Sequence, residues 1–508
     1  MFRTAELGRK VGNRTYREKK NRLRQELLEL QRLLREQSAF PVVVVFAGVD
    51  GGGKGATVNT LNDWMDPRWL MTRAYGSPSG EERERPEYWR FWRDLPPKGR
   101  VGLFLDSWYS SSLLDRVHNR INDAEFDRKL ERVTAFEDAL ADDGALILKF
   151  WMHLGKKAQK RRLEQLQKDP LLSWRVNEMD WQHWRMHHDF VAAAERAITH
   201  TSHRSPWSII EGTDPNYRNL AVATTIRNTM TAHLDRLDRH RNDGLPHSDM
   251  DGAQMVPETV GLNGADELPK KSIFSILDMS LKVKKSEYKK QLEKLQGRLH
   301  LLHRKALARG ISTILLFEGQ DAAGKGGAIR RVTRAMEARN YQVIPVAEPT
   351  DEERAHHYLW RFWRHLSRAG KVTIFDRSWY GRVLVERVEG LTSEQAWTRA
   401  YAEINDFEEQ LVEHGIVLVK YWLQIGKDEQ LARFRERQNT PYKRWKLTDE
   451  DWRNREKWDA YEQAVNDMVE RTGTSRVPWE LIEGNDKRYA RLKVLRVACE
   501  RLEHALGD

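Results

Sequence analysis

Tyr16, Leu23, Leu27, Leu30 and Leu34 recur at three-, four- and seven-residue steps in an otherwise charged stretch. That spacing predicts a basic amphipathic helix over residues 14–37. Tyr288, Leu292, Leu295, Leu299 and Leu302 repeat the stripe and predict a second such helix over 287–308. Each helix leads into an apolar, β-branched run, PVVVVFA in the first case and ISTILLFE in the second. Runs without alternation suit strands covered on both faces. A glycine-rich loop and another helix-like stretch follow each run. Further apolar segments predict strands at 69–75, 100–105, 145–151 and 207–211, and again at 342–347, 371–376, 416–423 and 479–483. Between them lie a Trp-rich helix, a long helix running from acidic to apolar, and a strongly charged helical section. Strands alternating with helices imply an α/β fold with a mostly parallel sheet flanked by helices.

The pattern occurs twice. GVDGGGKGA begins at Gly48 and GQDAAGKGG at Gly319, 271 residues later (319 − 48). RFWR at Arg90 and Arg361, SWY at Ser107 and Ser378, and a Lys-x-Trp at Lys149 and Lys420 keep the same offset. An offset this long indicates duplicated domains, since solenoid repeats are far shorter. The expected organisation is a first domain over 1–238, a linker over 239–272 rich in Pro, Gly and Asp, and a second domain over 273–508.

Composition narrows the chemistry. The net charge of +11 favours an anionic partner, and nucleic acid, anionic lipid and polyanionic small substrates all satisfy charge alone. The lone cysteine, Cys499, rules out an internal disulfide framework. The first residues lack the apolar centre of a signal peptide, and no apolar run approaches the ~18 residues of a membrane span. The expectation is a cytoplasmic enzyme without membrane attachment; a homo-oligomer is compatible with it. Nineteen tryptophans invite a base-stacking reading, but repeated pairs such as Trp89 with Trp360 and Trp92 with Trp363 favour core packing.

A strand, a GxxxxGK loop and a helix together form a phosphate-binding arrangement, because backbone N–H groups and the positive helix end converge on the anion. Gly319, Gly324, Gly326 and Gly327 let the backbone approach phosphate oxygens, and Lys325 adds a mobile cation. Two departures from the common loop matter. Glycine follows the lysine where a Ser or Thr usually ligates magnesium, and Asp321 lies inside the loop. A carboxylate beside phosphates is repulsive unless a metal separates them, so Asp321 is expected to take the metal role. A partner carboxylate should end a neighbouring strand, and VTIFDRSWYGR places Asp376 there with Arg377 beside it. Asp321 and Asp376 would hold Mg²⁺, while Lys325 and Arg377 neutralise phosphoryl oxygens. Lys427, Arg433, Arg437, Lys443, Lys446 and Arg455 would form a cationic helical lid.

The first copy is worn. At the 271-residue offset, Leu105 stands for Asp376, Asp106 for Arg377, Ser111 for Arg382, Leu172 for Lys443 and Trp184 for Arg455. Strand alternation is expected to turn Asp106 away from the loop. The first half is therefore expected to be catalytically degenerate.

GQDAAGKGG, HYLWRFWRHLSRAGKVTIFDRSWYGRVLVERVEG, the basic lid and VPWELIEGNDKRYARLKV together closely resemble the polyphosphate kinase 2 family over residues 286–505. Residues 14–238 resemble the same domain with the losses given above, and two fused copies resemble the class II, polyphosphate:AMP phosphotransferase architecture. The resemblance implies a duplicated P-loop kinase-like domain with a helical lid. It implies transfer of the terminal phosphoryl group of inorganic polyphosphate to AMP, giving ADP, with Mg²⁺. By that resemblance Asp321, Lys325, Asp376 and Arg377 are the catalytic set, the lid cations grip polyphosphate, and Arg382, Glu386 and Arg387 lie near the nucleotide or metal. An ATP-dependent nucleotide kinase of P-loop fold is the alternative enzyme, and a nucleic-acid-binding protein the alternative class. Joint retention of Asp321 and Asp376 argues against nucleic acid as the partner.

Overall fold

The structure, a computed structural model, describes residues 1–242, 272–441, 444 and 447–507. Nearly all of the linker expected over 239–272 lies outside them, as do Lys443 and Lys446. Contacts divide the chain into two compact units. One comprises Met1–Pro78, Arg90–His247 and Thr350–His357, the other Ser79–Trp89, Ser248–Pro349 and Tyr358–Asp508. Each unit is thus discontinuous and takes in a short segment from the other half of the sequence.

The first unit holds β1 (Val42–Gly48), β2 (Leu70–Ala74), β3 (Val101–Leu105), β4 (Leu146–His153) and β5 (Trp207–Glu211) in the all-parallel order β2-β3-β1-β4-β5. The second holds β6 (Thr313–Gly319), β7 (Tyr341–Pro345), β8 (Val372–Asp376), β9 (Val417–Gln424) and β10 (Trp479–Glu483) in the matching order β10-β9-β6-β8-β7. The amphipathic helices expected at 14–37 and 287–308 are Asn13–Gln37 and Lys285–Ala308. In the second unit Leu295, Leu299 and Leu302 bury the helix stripe against a core that includes Phe317, Ile374, Tyr421 and Val494. A fully buried leucine such as Leu299 contributes about 1.5–3 kcal/mol.

The opposite side of the second sheet is aromatic. Trp360, Phe362, Trp363, Trp379 and Phe407 are buried, with edge-to-face contacts between Phe362 and Trp379 and between Trp379 and Phe407. The repeated tryptophans Trp89, Trp92, Trp360 and Trp363 are all core residues. The repeated lysines also have a structural cause. Lys420 Nζ, fully buried on β9, donates to Glu408 Oε2 at 2.7 Å, to Tyr380 OH at 3.0 Å and to the Thr472 carbonyl at 2.7 Å. Trp379 Nε1 and Tyr380 OH donate to the other Glu408 oxygen at 3.0 and 2.7 Å. This network pins the turn after β8. Lys149, Glu137, Trp108 and Tyr109 reproduce it after β3. Such a buried ion pair is tolerable only because every charged oxygen and proton finds a partner.

Candidate active site

The register sets the site. Phe317 on β6 lies level with Asp376 on β8, so the loop after β6 and the residues after β8 leave the same sheet edge. In open parallel sheets ligands bind beyond these carboxyl ends. Gly319 closes β6 at φ +146°, and a Cβ there would lie 2.5 Å from the Leu423 carbonyl oxygen, so a side chain has no room. Gly324, at φ +110°, starts the helix Lys325–Thr333 in a conformation that side chains rarely adopt. Lys325 folds back so that Nζ donates to the Gly319 carbonyl at 2.5 Å.

Asp321 and Arg377 meet over this loop. Arg377 is left-handed at φ +65°, its backbone N–H donates to the Phe317 carbonyl at 3.0 Å, and its guanidinium reaches Asp321 Oδ1 at 3.4 Å and Glu450 Oε1 at 3.5 Å. Burial works against the Arg377 charge, but Asp321, Glu450 and Glu318 outweigh it and hold the guanidinium above its ordinary pKa. Asn454 Nδ2 donates to the other Asp321 oxygen at 2.8 Å.

Two cavities share these groups. The larger, about 640 Å³, is lined by the loop from Gln320 to Gly327, by Asp376, and by the cations Arg330, Arg377, Arg433, Arg437, Lys487 and Arg491. The narrower, about 80 Å³, is walled by Leu384, Val385, Trp422, Trp458, Tyr461 and Val465, with Glu318 and Asn454. Gln320, Asp321, Lys325, Arg377 and Glu450 line both. One chamber sets seven cations against the carboxylates Asp321, Asp376, Glu436, Glu450 and Asp451, the other is largely aromatic and aliphatic, and Asp321, Lys325 and Arg377 stand where they join.

Asp321, Lys325, Asp376, Arg377, Gly324, Gly326, Gly327, Arg433 and Arg437 thus come together around the cationic cavity, and Gly319 lines the narrower one. Arg433 is 4% exposed and bonds the carbonyls of Ala322, Ala323, Gly484 and Asn485, so it braces the loop as well as lining the cavity. Lys427 and Arg455 line neither cavity: Arg455 donates to the Lys427 carbonyl at 2.6 Å and to Gln430 at 3.2 Å. Arg382, Glu386 and Arg387 also line neither. Arg382 pairs with Glu386 at 3.0 Å, and Arg387 pairs with Asp467 at 2.8 Å and covers the Trp397 ring.

Sequence reading missed Arg330, on the helix Lys325–Thr333, and Lys487 and Arg491, one turn apart on the distant helix Lys487–Leu506; the two helices converge only in the fold. It also missed Glu450, Asn454 and Glu318. The repeat offset carries a signal for all three, since Glu318 matches Ala47, Glu450 matches Met179 and Asn454 matches His183.

The first unit's loop is closed by its own side chains. Lys54 Nζ donates to Asp106 Oδ1 and to the Gly48 carbonyl, both at 3.1 Å. Asp106 therefore faces the loop, contrary to the expectation from strand alternation: β3 ends at Leu105, and Asp106 is left-handed at φ +50°. His183 Nδ1 sits 2.7 Å from Asp50 Oδ2. A Cβ on Gly53 would lie 2.3 Å from Arg218, whose buried guanidinium bonds Thr57 and the Gly212 carbonyl; burial lowers its pKa to about 10.

Two carboxylates near one phosphate loop fit a hard divalent cation that completes its shell with phosphate and water oxygens. Among the described residues no group of three or more His, Cys, Asp or Glu side chains could hold a metal without such help. No helix among them is long and apolar enough to cross a membrane.

The family model for Polyphosphate kinase 2 matches residues 10–237 and 282–507. A Pseudomonas aeruginosa protein named polyphosphate:AMP phosphotransferase is 48% identical over 506 residues, covering 99% of both chains. A protein of the same name from Pseudomonas syringae pv. tomato is 47% identical over 508 residues, covering 100% of this chain and 99% of that one. A crystal structure from Pseudomonas aeruginosa PA01, assigned to polyphosphate kinase 2, superposes with a TM-score of 0.86 at 45% identity over 99% of both chains. With its duplicated sheet and both halves matched, the chain belongs to the polyphosphate kinase 2 family.

Proposed function

We propose that the second unit transfers the terminal phosphoryl group of inorganic polyphosphate to AMP, giving ADP, with the donor in the cationic cavity and the acceptor nucleoside in the aromatic one. The observation that carries the reading is that these two unlike cavities meet at Asp321, Lys325 and Arg377. A polyanion suits seven cations around one loop. A nucleoside suits Trp458 and Tyr461, whose rings offer stacking faces. At about 80 Å³ the aromatic cavity is too small for a nucleotide, so its walls, the helices Asp449–Glu456 and Trp458–Thr472, must swing outward to admit one and close to exclude water.

The chemistry needs no general base. An AMP phosphate oxygen is already anionic at neutral pH; it attacks the terminal phosphorus, a P–O bond forms, and the anhydride P–O bond to the shortened polyphosphate breaks. The chain's task is alignment and charge neutralisation. Lys325 and Arg377 neutralise the transferring oxygens, and Asn454 fixes the Asp321 carboxylate. Asp321 and Asp376 would hold Mg²⁺, which when bound supplies further charge neutralisation on phosphate oxygens. The free, buried Cys499 and the ion-pair-rich exterior accord with a cytoplasmic location.

The test varies each cavity separately while ADP formation is measured. Trp458→Ala should raise KM for AMP and leave KM for polyphosphate unchanged. Arg437→Ala with Lys487→Ala should do the reverse. A panel of nucleoside mono- and diphosphates, and ATP in place of polyphosphate, completes the assay. Faster transfer from ATP than from polyphosphate would sink the reading.

A further inference from the structure

Glu318 is a charged residue in the β6 interior, 5% exposed, one residue before the phosphate loop. Its Oε1 accepts from Ser378 Oγ at 2.7 Å, and Ser378 in turn accepts from the Tyr380 N–H at the start of the turn after β8. It lines the narrower cavity with Lys325 and Arg377. Burial raises its pKa, against the pull of Lys325, Ser378 and Arg377.

The first unit supplies an internal control. There Ala47 occupies the Glu318 position, and the buried Ser107 Oγ has no hydrogen-bond partner among the described residues. The turn forms nonetheless: Asp106 adopts the same left-handed conformation as Arg377, and Trp108, Tyr109, Glu137 and Lys149 make the same network. The fold therefore does not require a carboxylate at this position. Burying one is costly, and a position that breaks a local rule without structural need points to function. The lysines differ as well. Lys54 has Asp106 at 3.1 Å, whereas the bond shown for Lys325 is to a backbone carbonyl. Glu318, at the end of β6, and Lys325, at the start of the helix after the loop, line the same narrow cavity.

We propose that Glu318 is a positioning residue of the transferase site, its buried carboxylate holding the Lys325 ammonium and the Arg377 guanidinium in place for the transferring phosphoryl group. It acts by preorganisation: the two cations are already aimed before the charge of the transition state develops. The half that lost Asp376 and Arg377 had no cation pair left to aim, and it carries alanine.

The inference rests on the transferase reading, and the full-length chain tests it with Glu318→Gln, Glu318→Ala and Ser378→Ala. Both Glu318 variants should lower kcat for ADP formation roughly 10- to 100-fold, the scale of one charged interaction. KM for polyphosphate and for AMP should stay within about threefold, and the melting temperature should hold or rise because a buried charge is removed. Ser378→Ala, which removes the hydrogen bond to Glu318 and the one from the Tyr380 N–H but keeps the carboxylate, should cost less than about threefold in kcat. A Glu318→Gln enzyme with wild-type kcat overturns the proposal. So does a Ser378→Ala loss as large as that of Glu318→Ala, because the carboxylate would then act through the turn. A wild-type chain without polyphosphate-dependent ADP formation would refute the transferase reading instead, so the two failures are distinct.

Discussion

The two phosphate loops differ in how their lysines are employed, and that difference sets a measurable asymmetry. In the first unit Lys54 already has a counter-ion, Asp106 Oδ1 at 3.1 Å, and a carbonyl at 3.1 Å. Burial acts against its charge, but Asp106 and Asp50 outweigh it and hold the ammonium above its ordinary pKa. A lysine neutralised this way has little attraction left for a phosphate. In the second unit Lys325 lines both cavities. A cation about 4 Å from a phosphoryl oxygen at an effective dielectric of 20 contributes about 4 kcal/mol, or roughly a thousandfold in rate. Lys325→Ala should therefore lower kcat/KM for polyphosphate roughly 10³-fold. Lys54→Ala should leave it within about twofold. Its effect on stability should be below about 1 kcal/mol, because Asp106 is half exposed and such pairs contribute little. Initial rates of ADP formation at fixed AMP and varied polyphosphate give both values, with circular dichroism to verify folding. Equal losses in the two folded variants would refute the assignment of transfer to the second unit.

Asp321→Asn keeps the side-chain size and removes the charge; kcat should fall at least about 100-fold and the dependence on added Mg²⁺ should weaken, as a Mg²⁺ titration after chelation would reveal. Lys420→Met leaves Glu408 buried without its cation and should destabilise the second unit by about 3–5 kcal/mol, read from urea unfolding; a loss below about 1 kcal/mol would contradict the network's role. His233, packed 4.3 Å from the Phe40 ring, has its pKa lowered to about 4, chiefly by burial, so between pH 6.5 and 4 the unfolded chain binds a proton that the folded chain does not. Stability should therefore fall as pH drops below 6.5, by at most about 2 kcal/mol at pH 5 since the ring is partly exposed. His233→Phe should remove that share of the loss; unfolding midpoints at pH 7 and pH 5 that fall equally in both proteins would exclude it.

Hydrophobic period and loop chemistry were enough to specify the strands, the two amphipathic helices and the duplication. These depend on residues within a few positions of one another, and the 271-residue offset made every local signal appear twice. That Asp321, Lys325, Asp376 and Arg377 would meet was legible for the same reason, since each lies on a segment that directly follows or ends an apolar run. The tertiary structure alone decided the rest. Arg330, Lys487 and Arg491 reach one cavity from helices more than a hundred residues apart in sequence, and a charged helical residue looks alike whether it faces solvent or a pocket. Arg433 looked like a surface lid cation, yet it is a buried brace because four carbonyl oxygens converge on it. Asp106 turned toward Lys54 because alternation stops where the strand stops. Sequence sets which groups are available and which elements carry them. Which cation meets which anion is set by the packing of helices onto the sheet, a long-range property that no local pattern encodes.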